Sequence, residues 1–234
     1  MKATRTLLWL ALAAASPAFA EQSVSKISDD VNTSAGQRYG SLATVSGDIH
    51  VVADVQAGSV HTVSGDITVD PGAGVGDVAS TSGEVKLGDK ATARGVKTVS
   101  GNLRLGRGVQ VDGDVTAVSG DIFADRGSRI SGDVTAVSGA IGLVQTEVGG
   151  RITFVSADVT VGVGSHVKGG IHLSKPNFGK QNHPPRVVIG PDAVVDGPLD
   201  FELPVRLYVH SSAKVGAITG ATPIAFSTPT PPKD

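Results

Sequence analysis

The segment TAVSGDIFADRGSRISGDVTAVSGAI, residues 116–141, decides the fold, because it contains one whole repeat and the beginning of the next. A constant period near 20 residues is typical of a solenoid, in which each repeat buries its apolar side by stacking on its neighbours. The repeat unit is the tripeptide Val-Ser-Gly or a close variant, at intervals of 18 or 19 residues, centred on Ser46, Ser64, Ser82, Ser100, Ser119, Ser138 and Ser156.

Alignment of the repeats produces three apolar columns, each placing similar residues one coil apart. The first column is Val45, Val63, Thr81, Val99, Val118, Val137 and Val155. The second column is Ile49, Ile67, Val85, Leu103, Ile122, Ile141 and Val159. The third column is Val60, Val78, Val96, Val115, Val134, Ile152 and Ile171. Because successive coils of a parallel β-solenoid lie about 4.8 Å apart, we expect each column to form an internal aliphatic ladder.

These patterns predict an all-β protein, a single-stranded parallel β-helix (β-solenoid) of about ten coils of 18–19 residues. Three short strands per coil, with glycine at the corners, predict a triangular cross-section. At the inter-strand spacing the rod is roughly 45–50 Å long.

The chain divides into a leader, one repeat domain and a tail. Residues 1–20 read as a secretory signal peptide, with a basic start, an apolar run and the cleavage motif Ala18-Phe19-Ala20. Residues 21–224 are predicted to form the β-helix, interrupted by an inserted loop at 174–186. Residues 225–234 are rich in Pro and Thr, which predicts a disordered tail. We therefore expect export through a cleavable signal peptide to the periplasm or the cell exterior.

Composition excludes several classes of function. The chain has no cysteine, so it forms no disulfides. After removal of the signal peptide, 18 basic and 22 acidic residues leave a net charge of −4, and no basic stripe points to nucleic acid. No later apolar run approaches the ~20 residues of a transmembrane span. The remaining partners are the chain itself or envelope polymers and proteins, with the oligomeric state left open.

An acidic column follows the Ser-Gly corner and allows two interpretations. Its members are Asp48, Asp66, Glu84, Asn102, Asp121, Ala140 and Asp158, and Asp77, Asp114 and Asp133 form a second set. Stacked carboxylates could form weak Ca²⁺ sites, since Ca²⁺ takes several oxygen ligands. Alternatively, each Asp caps its own turn and stays in water. The second interpretation is favoured, so no metal or cofactor is predicted.

No catalytic residues are predicted either. The serine column lacks a recurring base within reach, and we expect its hydroxyls to bond each other or the backbone along the ladder. His50 and His61 each occur once in the repeat, which indicates surface residues. His166, His172, His183 and His210 cluster late in the chain without the spacing of a known metal site.

The inserted loop is the best candidate for partner binding, because loops that interrupt a regular scaffold often carry function. Its candidate residues are Lys175, Phe178, Lys180 and His183. A tolerated insertion without function is the alternative.

The Val-Ser-Gly-Asp-Ile repeats resemble an exported bacterial repeat family described as adhesin-like. The segment IGPDAVVDGPL, residues 189–199, is similar to bactofilins, polymer-forming cytoskeletal proteins. The bactofilin resemblance implies a right-handed coil. Together these likenesses imply a non-enzymatic structural or adhesin-like protein of the bacterial envelope. The alternatives are a self-polymerising scaffold of the bactofilin type and a polysaccharide-binding β-helix.

Overall fold

Parallel strands wind around an apolar interior and stack coil upon coil. The computed structural model describes residues 21–176 and 183–232, and in these residues it has no helix and about 11 solenoid turns. The parallel β-helix predicted from the sequence is thus confirmed, with about one coil more than counted. The 26 strands are β1 (Gln22–Lys26), β2 (Val31–Asn32), β3 (Arg38–Ser46), β4 (Ile49–Val51), β5 (Gln56–Ser64), β6 (Ile67–Val69), β7 (Gly74–Ser82), β8 (Val85–Leu87), β9 (Thr92–Ser100), β10 (Leu103–Leu105), β11 (Gln110–Val111), β12 (Val115–Ser119), β13 (Ile122–Ala124), β14 (Arg129–Ile130), β15 (Val134–Leu143), β16 (Glu147–Val148), β17 (Ile152–Val161), β18 (His166–Val167), β19 (Ile171–Leu173), β20 (Arg186–Ile189), β21 (Val194–Val195), β22 (Leu199–Phe201), β23 (Arg206–His210), β24 (Lys214–Val215), β25 (Ile218–Thr219) and β26 (Ile224–Phe226).

The strands form three stacks, which we call faces A, B and C, and every neighbouring pair is parallel. Face A consists of β1, β3, β5, β7, β9, β12, β15, β17, β19, β22 and β25. Face B consists of β2, β4, β6, β8, β10, β13, the ends of β15 and β17, β20, β23 and β26. Face C consists of the starts of β3, β5, β7 and β9, followed by β11, β14, β16, β18, β21 and β24. Three strands per coil agree with the predicted three-sided section.

Two of the three predicted apolar columns form the core. All members of the second column lie in face B and are buried, and all members of the third column lie in face A and are buried. Adjacent coils hold them in register: Ile122 pairs with Ile141, and Val115 with Val134. A fully buried aliphatic side chain contributes roughly 1.5–3 kcal/mol, so these ladders are a main source of stability.

The prediction for the first column is wrong, because its side chains point outward. Val63 and Val99 are each 48% exposed, and Val118 is 39% exposed. The reason is the period of two in a β-strand. Val115 faces the core, and Val118 is an odd number of residues further along the same strand, so it faces solvent.

The inward position is instead taken by the residue before each of these valines. In the first four coils it is a hydroxyl residue, namely Thr44, Thr62, Ser80 and Thr98, and later it becomes Ala117, Ala136 and Phe154. Thr62 Oγ1 donates to the Gly47 carbonyl at 3.3 Å. This column is not recognisable as a core column from the sequence, because its members are hydroxyl residues in the N-terminal coils and apolar residues in the later coils.

Glycine at the corner between faces A and B is required by two constraints. Gly120 has a φ of +143°, a region that side-chain-bearing residues rarely adopt. A Cβ at this position would also collide with the carbonyl oxygen of Gly101 in the preceding coil. The Ser-Gly element is therefore a backbone requirement of stacking.

The last residues follow the outer surface of the solenoid. Phe226 is buried against Val188 and Tyr208, and β26 pairs with β23. The Arg186 guanidinium donates to the Pro232 carbonyl at 2.6 Å. Residues 225–232 thus have a defined position in the structure, which differs from the disorder predicted for 225–234, because outward-facing apolar side chains on β20 and β23 provide a place to pack.

We expect Ile122→Asp to lower the free energy of unfolding by about 4 kcal/mol or more, because it buries an unpaired charge in the face B ladder. Val118→Asp in the same coil serves as the matched control. The charge of this variant stays in water, so we expect its free energy of unfolding to fall by less than about 1 kcal/mol.

Urea unfolding followed by circular dichroism measures both variants. Equal losses in the two variants would contradict the assignment of Val118 to the surface.

Candidate functional site

Face A carries two regular outward-facing columns of side chains. The half-exposed first column described above forms one of them. A second column runs two residues earlier, beginning Ala43, His61, Ala79, Lys97, Thr116, Thr135 and Thr153, and continues in register through His172 and Asp200 to Thr219. The face is therefore apolar and sparsely charged in its N-terminal half and polar in its C-terminal half.

The acidic column caps the backbone between coils. Asp48 Oδ1 accepts the backbone N–H of Asp66 at 2.8 Å, and Asp66 Oδ1 accepts that of Glu84 at 2.7 Å. Asn102 Oδ1 accepts the N–H of Asp121 at 2.9 Å in the same way. The predicted capping role is thus present in altered form, because each carboxylate reaches the next coil rather than its own turn.

Two members of the second acidic set make similar contacts, whereas Asp77 pairs with the Arg94 guanidinium. Asp114 Oδ1 accepts the Asp133 N–H at 2.9 Å, and Asp133 Oδ1 accepts the Arg151 N–H at 2.7 Å. Among residues 21–176 and 183–232, no group of three or more His, Asp or Glu side chains is arranged to hold a metal ion.

The serine column does not form the hydroxyl ladder that we expected. In the part of the chain that the structure describes, its side chains point into solvent at the corner and do not bond one another. One hydroxyl pair does link neighbouring coils, with Ser59 Oγ donating to Ser41 Oγ at 3.1 Å. These two serines belong to a different outward column of face A.

The late histidines lie on different faces. His166 is on face C, 2.6 Å from Asp196, and His172 is on face A, 3.2 Å from Asp200. His210 is on β23 of face B, where its Nδ1 lies 2.9 Å from Ser212 Oγ. The sequence places these residues close together along the chain, but the winding of the coil directs them to three sides of the rod. Of the two earlier histidines, His61 is exposed, as predicted, and His50 is partly exposed beside Asp70 at 3.0 Å.

The inserted loop leaves the rod at the end of face A. The exposed Lys175 donates its backbone N–H to Glu202 Oε2 at 3.0 Å, and His183 is exposed where the described chain resumes. Arg186 then returns the chain to the rod, donating its N–H to Asp158 Oδ1 at 2.8 Å. Phe178 and Lys180, the other two candidates, lie outside the described residues.

A charged cluster on face C was missed by the sequence analysis. Glu147 lies 2.6 Å from Lys168 Nζ and 2.7 Å from the Arg129 guanidinium. The hydrogen bond from Lys168 and the charge of Arg129 hold the pKa of Glu147 below its usual value. The signal was opposite charge at equivalent positions of two successive coils, Arg129 and Glu147, with Lys168 two residues beyond the equivalent position in the third coil.

Two carboxyl groups on face A also have lowered pKa values. The hydrogen bond from the Arg94 guanidinium is the main cause at Asp77. At Asp200 the main cause is the hydrogen bond from Thr219 Oγ1, and His172 adds to it. Both groups are therefore ionised, and each is joined to the neighbouring coil.

Comparisons with known proteins identify no relative of this chain. No protein family, curated protein or solved structure matches the chain. Within the described ranges, no helix has the length and apolar character to cross a membrane.

We expect Glu147→Gln to lower the free energy of unfolding at pH 7 by less than about 1 kcal/mol, the usual range for solvent-accessible ion pairs. Because the folded-state pKa of Glu147 is below its usual value of 4.5, its stabilisation is full above that pH and is lost as the pH falls through the lowered pKa.

Urea unfolding at several pH values therefore gives curves for wild type and Glu147→Gln that converge in acid. The control Glu21→Gln removes an exposed carboxyl that makes no ion pair in the described structure, and it is measured at the same pH values. A constant gap between wild type and Glu147→Gln down to pH 2 would exclude this role for the cluster.

Proposed function

We propose that this chain is a non-enzymatic, exported structural or adhesin-like repeat protein of the bacterial envelope. The observation that carries the proposal is a continuous rod whose side chains repeat at the coil spacing on three faces. Such a surface offers many equivalent weak contacts, and their combination gives avidity for a polymer that also repeats.

The distribution of residue types supports a binding role over a catalytic one. The exposed positions of the repeats carry many Ser, Asp, Val, Lys and Arg side chains, and Asp side chains at the corners are engaged with backbone N–H groups of the next coil. Histidine is the usual general base at neutral pH, and the late histidines His166, His172 and His210 lie on three separate faces.

The charged residues at the base of the inserted loop favour this part of the rod as the place where a polymer binds. The loop starts from face A next to His172, where Asp200 and Glu202 add carboxylates, and it presents the exposed residues Lys175 and His183. A site with both cationic and anionic groups suits polymers that carry carboxylate and amino groups, such as peptidoglycan.

We expect the exported chain, beginning at Glu21, to co-sediment with insoluble peptidoglycan or surface polysaccharide. The double variant Lys175→Ala, His183→Ala is expected to bind at least about fivefold more weakly, which corresponds to roughly 1 kcal/mol. The matched control Lys86→Ala, His50→Ala removes the same residue types from face B, away from the loop, and binds like wild type.

Failure of the wild-type chain to bind any envelope polymer would count against the adhesive function. Equal weakening in both double variants would indicate non-specific charge attraction in place of a loop site.

A second candidate function is a self-polymerising scaffold of the bactofilin type. The observation in its favour is that β24, β25 and β26 pair with a neighbouring strand on one side only, with Val215 and Ile218 partly buried at this end. Unpaired strand edges can template another chain.

Negative-stain electron microscopy of the exported chain over a concentration series separates the two candidates. Long filaments are the expected result for a scaffold that joins end to end. Short rods at every concentration would exclude the scaffold and leave the adhesive function.

A further inference from the structure

One outward column of face A carries valine in five of six successive coils, with threonine in the sixth. We call it the valine stripe and define it as Val45, Val63, Thr81, Val99, Val118 and Val137. Its five valines are 38–48% exposed, and they make up more than half of the exposed large hydrophobic residues in the described chain. The strands on either side are in register, so the stripe repeats at about 4.8 Å.

The surface beside the stripe carries little charge. The neighbouring outward column begins with Ala43, His61, Ala79 and Lys97 and continues with threonines. Together with the stripe it borders a shallow groove of about 540 Å³. Contiguous apolar surface of this kind on a protein that has enough polar residues elsewhere marks a contact with another molecule.

We infer that the valine stripe is the contact surface for a second copy of this chain, packed side by side and parallel. The inference rests on the fold and not on the proposed adhesive function. A partner that fits the stripe has to present apolar groups at the strand spacing over six coils. A second copy of face A has the same period and the same length, because it is the same surface. Facing sheets with identical side chains interdigitate in this way.

Charge complementarity selects the parallel arrangement. In an antiparallel pair centred on the stripe each column lies opposite itself in reverse order, so Lys97 would meet Ala79, and Asp66 of the acidic column would meet Asp121 of the other copy. In a parallel pair related by a two-fold axis along the stripe, His61 and Lys97 lie opposite the corner column that contains Asp66 and Glu84.

The available area indicates a weak, concentration-dependent dimer. Six coils at about 4.8 Å and a face about five residues wide provide roughly 450 Å² from each copy. The total of about 900 Å² is below the ~1,200–2,000 Å² of stable complexes, which places the dimer among transient ones.

Sedimentation velocity over a concentration series of the exported chain tests the contact. The triple variant Val63→Thr, Val99→Thr, Val118→Thr keeps the shape and β-propensity of each side chain, and Thr81 shows that the position accepts threonine. We expect the dissociation constant of the dimer to rise at least about tenfold. The control Phe123→Thr changes a residue of face B in the same coil as Val118 with the same 39% exposure, and it leaves the dimer unchanged.

Single cysteines test the orientation, since the chain has none of its own. In a parallel pair Val45→Cys and Val137→Cys each cross-link to themselves with a short bifunctional thiol reagent, and Phe123→Cys does not. In an antiparallel pair the two end positions cross-link only when the two variants are mixed, which would overturn the parallel arrangement.

Two other results would overturn the contact itself. One is a wild-type chain that stays monomeric at every concentration. The other is a triple variant that dimerises as tightly as wild type. If the chain is monomeric and the triple variant loses its retention on peptidoglycan, the stripe contacts the polymer and not a second copy.

Discussion

In-register stacking of one coil on the next is the constraint on which the whole structure depends. A single coil has a few short strands, and it cannot bury its aliphatic side chains or pair its backbone groups without a neighbour. Ile122 is buried because Leu103 and Ile141 lie directly above and below it. Each coil must therefore have nearly the same length as the adjacent coil. For this reason the same sequence pattern recurs along the chain.

The corners between faces A and B satisfy the same constraint by backbone means. Gly120 allows the chain to turn with a positive φ where a Cβ would strike the preceding coil. The acidic residue after the glycine accepts a backbone N–H from the next coil, as Asp66 does from Glu84. The acidic column, whose residue types would suit metal ligands, thus serves largely to join neighbouring coils by hydrogen bonds.

Because stacking requires similar inward-facing side chains in every coil, the coils differ from one another mainly in their outward-facing side chains. The valine stripe, the Arg129–Glu147–Lys168 cluster and the loop base around Glu202 occupy separate parts of the surface. Polymer binding through the loop and side-by-side pairing through the stripe are therefore compatible on one rod. Self-association of this kind would double the number of binding loops and so raise avidity for a repeating polymer.

The solenoid, its period and two of the three apolar columns could be predicted from the residues alone, since a repeat of 18 or 19 residues specifies which side chains stack. The sequence also predicted the glycine corners and the site of the insertion. The sequence did not reveal which way Val118 points or that Thr98 faces the core. Those orientations follow from where each strand starts relative to its corner, and a shift of one residue reverses the face. Only the tertiary structure separated His166, His172 and His210 onto three sides of the rod, because proximity along a coiled chain is not proximity in space.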